Sequence, residues 1–251
     1  MIHFVGAGPG AADLITVRGA DLLKKADLVI YAGSLVNPAL LHYCKEDCEI
    51  HNSASMTMEE VIALMKAGED AGKTCVRLHT GDPSLYGAHR EQMDELDKLG
   101  ISYDVVPGVS SFSGAAAALC AEYTLPQISQ SLIITRMEGR TAVPEGEKLA
   151  RMASHGCSMV LFLSAGLLEA VREELIAGAY EPDTPAAIVY KATWPDEAVY
   201  RCTVGTLAQT AKDKGVNKTA LILVGDFLSG PVERSKLYDP AFTHEFRTAS
   251  E

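Results

Sequence analysis

Hydrophobic positions along this chain fall into runs of two kinds. Apolar, β-rich runs recur at 2–5, 28–31, 48–51, 75–79 and 103–106, lengths that suit buried strands. Between them lie segments with helical spacing, Thr57 to Ala71 and Ser84 to Leu99. In the second, Leu85, Met93, Leu96 and Leu99 share part of one helical face, with Glu91, Asp94, Asp97 and Lys98 largely outside it. Strands alternating with helices predict an α/β fold with a mainly parallel sheet. A small-residue helix, Ser110 to Cys120, follows and runs into a boundary at Leu125-Pro126. The second half has its own strand set at 131–135, 159–164, 186–191, 199–204 and 219–224, and Met137 to Glu147 reads as a mobile loop. The expected organisation is an N-terminal α/β domain over 1–122, a C-terminal α/β domain over 123–230 and a flexible, frayed tail over 231–251.

Composition narrows the function. The chain has 251 residues and 47% apolar content, enough to bury substantial cores. With 33 acidic against 22 basic side chains it carries a formal charge of −11, which argues against a nucleic-acid partner. It says little against an anionic small molecule, for which only the pocket must be basic. No apolar run approaches the roughly 20 residues of a membrane helix, and Met1-Ile2-His3-Phe4 enters a strand without a basic leader. Six cysteines without framework spacing suit reduced thiols and a cytoplasmic location.

One cluster imitates a metal site, His42-Tyr43-Cys44-Lys45-Glu46-Asp47-Cys48-Glu49-Ile50-His51. The Cys-x3-Cys spacing is uncommon for zinc, no second ligand pair follows, and the run from Cys48 reads as a strand start, so no metal is expected.

The chemistry lies in loops at strand exits. Leu78-His79-Thr80-Gly81-Asp82-Pro83-Ser84-Leu85-Tyr86-Gly87 follows one strand, and Pro107-Gly108-Val109-Ser110-Ser111 follows another. Glycine lets backbone approach a ligand, and Asp and Ser at a strand exit contact ligands or cap helices. In an open α/β sheet such loops form the ligand crevice. A third loop, Val5-Gly6-Ala7-Gly8-Pro9-Gly10, invites a dinucleotide reading. Its G-x-G-x-G spacing departs from G-x-G-x-x-G, and Pro9 lacks the N–H a pyrophosphate would use. The next strand ends in Ala32-Gly33-Ser34, with no carboxylate for a ribose. An NAD-dependent oxidoreductase is therefore disfavoured.

Together these runs resemble a known family. V-G-A-G-P-G-x-x-x-L-I-T-V-R-G (Val5 to Gly19) is similar to the first signature of the tetrapyrrole (corrin/porphyrin) methyltransferases, and L-x-x-G-D-x-x-x-Y-G ending in P-G (Leu78 to Gly108) to their second. Cys75 stands where a β-branched residue is usual. The resemblance spans Ile2 to about Phe227. Within the family, Tyr31-Ala32-Gly33-Ser34-Leu35-Val36, Ser53-Ala54-Ser55-Met56-Thr57 and Trp194-Pro195-Asp196-Glu197 look most like the branch that methylates C11 of precorrin-4 or cobalt-precorrin-4 in cobalamin synthesis.

The resemblance implies two α/β domains in tandem with a ligand trough between them, and S-adenosylmethionine as methyl donor. Carried over residue by residue, it implies donor contacts at Pro9, Thr80, Gly81, Asp82, Leu85, Ser110, Ser111, Leu163, Ala192, Thr219 and Ala220. Leu163 falls where relatives often have Met and Ala192 where some have Gly. The implied acceptor is a tetrapyrrole bearing many carboxylates, which arginine forks suit. His79, Arg136 and Arg90 are the candidate substrate contacts, the first two expected at strand ends facing the trough. No catalytic base is identifiable, and transfer from a sulfonium needs none. Relatives pair, so a homodimer is expected. Other readings are a different ring carbon of a corrin precursor, the protein-modifying diphthine synthase branch, and a non-enzymatic corrinoid-binding module. The six cysteines lean the substrate towards the cobalt complex.

Overall fold

A computed structural model describes residues 1–230 and 239–249. The chain divides into two compact units, Met1–Ala115 with Lys191–Glu197, and Ala116–Tyr190 with Ala198–Glu251. No helix among the described residues is long and apolar enough to cross a membrane.

The first unit runs β1 (Ile2–Gly6), α1 (Val17–Lys25), β2 (Leu28–Tyr31), β3 (Glu49–Asn52), α2 (Met58–Asp70), β4 (Cys75–His79), α3 (Arg90–Lys98) and β5 (Tyr103–Val106). Its sheet is wholly parallel in the order β3-β2-β4-β1-β5, with Ile2 opposite both Cys75 and Tyr103. Both faces are covered, which is why β1 and β4 are buried throughout rather than alternating. One face packs Val5, Val29, Val76 and Leu78 against Ala20 and Leu23 of α1. The other packs Ile2, Phe4, Leu28 and Ile30 against Val61 and Met65 of α2 and Leu96 of α3. A capping box starts α2: Glu60 N–H donates to Thr57 Oγ1 at 3.3 Å, and Thr57 N–H to Glu60 Oε2 at 2.7 Å.

One expected helix is shorter than its pattern. Ser84 to Leu99 becomes α3 only at Arg90, because Tyr86 (φ 55°) and Ala88 (φ 47°) adopt left-handed backbone. Gly87 between them comes so close to Pro83 that a Cβ would lie 2.2 Å from the Pro83 carbonyl oxygen. The chain passes to the second unit within α4 (Ser111–Leu119).

The second unit comprises β6 (Leu132–Arg136), α5 (Leu149–Ala153), β7 (Ser158–Phe162), α6 (Leu168–Ala177), β8 (Pro185–Tyr190), β9 (Ala198–Thr203), α7 (Leu207–Asp213) and β10 (Ala220–Val224). Its sheet, β6-β7-β10-β8-β9, is mixed: only β6 and β7 run parallel, while β10 is antiparallel to β7 and β8, and β8 to β9. Met159, Leu161, Ile188 and Ile222 pack with Val171 and Leu175 of α6 and Leu207 of α7 in one core. Of the expected tail, 231–238 and 250–251 lie outside the described residues; in 239–249, His244 and Arg247 exchange backbone hydrogen bonds at 2.8 and 3.0 Å.

Candidate active site

Because β1, β4 and β5 are adjacent and parallel, their C-terminal loops emerge at one edge of the first sheet, and glycines let them touch backbone to backbone. Gly8 N–H donates to the Gly81 carbonyl at 3.2 Å and Gly81 N–H to the Gly8 carbonyl at 2.8 Å, both residues at positive φ (+80° and +60°). A Cβ on Gly108 would lie 2.2 Å from the Gly81 oxygen, and one on Gly6 2.6 Å from Gly108 Cα. No side chain larger than hydrogen fits either place without moving backbone.

Asp82 stitches two of these loops. Its Oδ1 accepts from Ser84 N–H at 2.8 Å and from the Ser84 hydroxyl, and its Oδ2 accepts from Gly108 N–H at 2.8 Å. Burial alone would raise its pKa, but these hydrogen bonds outweigh it and hold the carboxyl below the usual range, so it stays ionised. The Thr80 hydroxyl donates to the Leu35 carbonyl at 3.2 Å, tying in the loop after β2. Ser110 is buried and Ser111 opens α4, whose first amide dipoles point out of the helix start. Pro9 lies against Gly114 of α4, where a Cβ would come within 3.0 Å of it. Ala192 is buried in the segment that returns to this unit, and Leu85 is half-buried in the β4 loop. The first unit thus gathers Pro9, Thr80, Gly81, Asp82, Leu85, Ser110, Ser111 and Ala192 at one end.

His79 does not meet the expectation of a cation facing a ligand. Cys75, Arg77 and His79 alternate onto the sheet face that carries Phe4, so the imidazole sits 4% exposed with its ring 5.8 Å from Phe4 and 5.9 Å from His89. Burial, then the charges of Arg77 and His89, push its pKa down to about 3 against a weaker pull from the Gly87 backbone. It is neutral, and its Nε2 is buried without a partner. Arg77 beside it is also buried, donating to Gln92 Oε1 at 3.1 Å and to the Ile30 carbonyl at 3.3 Å, and desolvation lowers its pKa to about 10. Arg90, in the first turn of α3, is exposed and pairs with Asp94 at 2.7 Å.

In the second unit the sequence-assigned residues share one end of the sheet. Arg136 ends β6, Leu163 follows β7, and Thr219 immediately precedes Ala220, the first residue of the antiparallel β10. Leu163 (φ 52°) and Thr219 (φ 54°) are left-handed, a conformation that is rare for bulky or β-branched residues and recurs at functional sites. Leu163 is also 66% exposed, a large apolar side chain left open to solvent. The Arg136 guanidinium donates to the carbonyls of Met137, Thr141 and Ala142 at 3.3, 3.1 and 2.7 Å. It therefore organises its own loop, a role that strand position alone did not reveal.

Cys44 and Cys48 pack partly against the first core. Burial raises both thiol pKa values, Cys48 to about 11, which disfavours the thiolate a metal would need. No group of three potential metal ligands occurs among the described residues.

Residues 1–208 match the family of tetrapyrrole (corrin/porphyrin) methylases. A cobalt-precorrin-4 C(11)-methyltransferase of Methanocaldococcus jannaschii is 51% identical over 247 residues, 98% of this chain and 95% of that protein. A precorrin-4 C(11)-methyltransferase of a Sinorhizobium species is 44% identical, covering 100% of this chain and 99% of that one. Among solved structures, a cobalt precorrin-4 methyltransferase described as a cobalamin biosynthetic enzyme superposes with a TM-score of 0.89 at 47% identity, over 91% of this chain and 96% of its own.

Proposed function

This chain belongs to the tetrapyrrole (corrin/porphyrin) methylase family, and on that premise we propose that it transfers a methyl group from S-adenosylmethionine to C11 of cobalt-precorrin-4, with metal-free precorrin-4 as the alternative acceptor. The observation that carries this reading is 51% identity across 98% of the chain with an enzyme named for that reaction. The relative named for the metal-free substrate stands at 44%, which favours the cobalt complex.

The donor supplies a methyl group already activated on a sulfonium, so the protein's task is to bind and orient. Correct orientation of reacting partners supplies on the order of 7–11 kcal/mol in favourable cases. The first unit's loops suit a molecule that carries an ammonium, a carboxylate and a sulfonium. Asp82 is an ionised carboxylate fixed by the loops themselves, a complement to the donor's positive charges. The start of α4, with Ser110 and Ser111, offers hydroxyls and amide dipoles for a carboxylate. A Cβ on Gly81 would lie 3.5 Å from Ser111 N and 3.6 Å from Ser110 Cα, so the β4 loop sits directly against the start of α4. On this reading Pro9, Thr80, Gly81, Asp82, Leu85, Ser110, Ser111 and Ala192 hold the donor in the first unit. Leu163, Thr219 and Ala220 take the same role in the second. Arg136 and Arg90 are the cations kept for the acceptor's carboxylates, and His79, being neutral, is not. We further propose a cytoplasmic homodimer; light scattering that returns a single chain's mass at micromolar concentration would reject the dimer.

The donor part is tested by thermal unfolding with S-adenosylhomocysteine. A ligand at a hundredfold excess over its Kd stabilises by about 2.7 kcal/mol, so a clear rise in Tm is expected, with none for NAD. No rise with S-adenosylhomocysteine would refute the donor assignment.

A further inference from the structure

One run of the sequence has no task in methyl transfer so far: Thr193-Trp194-Pro195-Asp196-Glu197. With Lys191 and Ala192 it folds onto the first unit although it follows β8 in the chain, and it lands on the loop after β1. That loop, Gly8-Pro9-Gly10, has little means to hold its own shape. Two of its three residues are glycines, and proline has no N–H to donate. Gly8 is pinned by its paired hydrogen bonds with Gly81, and Pro9 and Gly10 are held by other segments. The Trp194 indole N–H donates to the Pro9 carbonyl at 3.2 Å, Ala11 N–H donates to Thr193 Oγ1 at 3.0 Å, and Asn37 Nδ2 donates to the Gly10 carbonyl at 2.9 Å. The indole lies so close that a Cβ on Gly10 would sit 2.1 Å from its Cδ1, and 2.9 Å from the Ala192 carbonyl oxygen. Pro9 is thus held between the indole and Gly114 of α4.

The strap is itself rigid. Thr193 N–H donates to Glu197 Oε2 at 2.6 Å, and Lys191 pairs with Asp196 at 2.6 Å while its ammonium lies 5.4 Å from the indole centroid. Lys191 (φ 46°) and Thr193 (φ 67°) both take left-handed backbone. A β-branched residue does so only where its surroundings enforce it.

We propose that Trp194 is a positioning residue for donor binding: its indole fixes the Pro9 carbonyl and thereby holds the Pro9–Gly10 backbone in its binding shape before the ligand arrives. The proposal rests on the reading that this loop borders the donor. Its physical content is preorganisation, the removal in advance of an ordering cost the ligand would otherwise meet.

The chain contains one tryptophan, so intrinsic fluorescence reports on this residue alone. Calorimetry of S-adenosylhomocysteine binding to the wild type, W194F and G10A is combined with the fluorescence titration. In the wild type, emission changes with the same midpoint as the heat. W194F, which keeps an aromatic ring but no donor, weakens binding roughly fivefold, the factor of one lost neutral hydrogen bond. In steady state it raises the donor KM while kcat at saturation and the acceptor KM stay put, a split that general destabilisation would not give. G10A displaces the indole without altering it, so its emission moves in the unliganded protein and its affinity falls. Unchanged affinity in W194F, or a displaced indole with unchanged affinity in G10A, overturns the proposal while the donor reading stands. No binding by the wild type overturns both.

Discussion

Asp82 offers the sharpest quantitative test, because one side chain carries both a structural and an electrostatic load. Asp82→Ala leaves Gly108 N–H and Ser84 N–H without the acceptors they now have at 2.8 Å. Hydrogen bonds to a charged group are worth about 1.5–3 kcal/mol each. The site is only half-buried, so the lower part of the range applies, and the two together give about 3–4 kcal/mol. For a chain of this size that is a fall in Tm of roughly 6–16 °C. Asp82→Asn keeps one amide oxygen as acceptor, so about half the loss is expected. The donor effect is separate. If the carboxylate complements the donor's positive charge, both variants weaken S-adenosylhomocysteine binding at least about tenfold, or 1.4 kcal/mol, since both remove the charge. Urea unfolding measures the first quantity and calorimetry the second. Because the folded carboxyl is held below its ordinary pKa of 3.8, its share of stability is present above that value and lost as pH falls through the lower folded value. The reasoning fails if Asp82→Ala unfolds at the wild-type urea midpoint, or if Asp82→Asn binds the ligand as tightly as the wild type.

His79 makes a pH prediction of known sign. The unfolded chain takes up a proton at this histidine below about pH 6.5, whereas the buried ring resists until about 3. Stability therefore declines on acidification across that window, by up to about 1.4 kcal/mol per pH unit. His79→Gln flattens that slope in urea midpoints taken at pH 7 and pH 5, and parallel slopes would contradict the burial argument. Arg136→Ala frees the carbonyls of Met137, Thr141 and Ala142, so hydrogen exchange at 137–142 accelerates. The acceptor KM rises more than the donor KM, and equal rises would make Arg136 a purely structural residue. Protein purified without chelator carries no stoichiometric zinc; zinc that is lost in a Cys44→Ser/Cys48→Ser double variant would prove the opposite.

Strand positions were legible because short apolar runs between glycines and charges have few other readings. The runs at 28–31, 75–79 and 103–106 coincide with β2, β4 and β5. Strand direction was legible in the first unit, where strand–helix alternation predicted the parallel sheet that is found, but not in the second. A run such as Ala220-Leu221-Ile222-Leu223-Val224 reads alike in a parallel or an antiparallel ladder, and the mixed second sheet emerges only from its pairings. The helical pattern from Ser84 overran because periodicity does not register the left-handed backbone at Tyr86 and Ala88. Alternation along Cys75, Arg77 and His79 held the clue to the fate of His79. It was masked because the first sheet is covered on both faces and the intervening Val76 and Leu78 are equally buried. The loop glycines stood out in sequence, whereas their pins, Asn37 and the Trp194 strap, are contributed by distant segments whose approach no local spacing encodes.

Methylation at C11 of a corrin precursor can be observed directly. The most direct measurement incubates the purified enzyme and S-adenosylmethionine with cobalt-precorrin-4 and, separately, with precorrin-4. Mass spectrometry counts the methyl groups gained, and NMR with a carbon-labelled donor methyl locates them. The expected result is the gain of one methyl group, at C11, with cobalt-precorrin-4 the better substrate. A methyl group at another ring carbon, or no donor-dependent product from either tetrapyrrole, would contradict it.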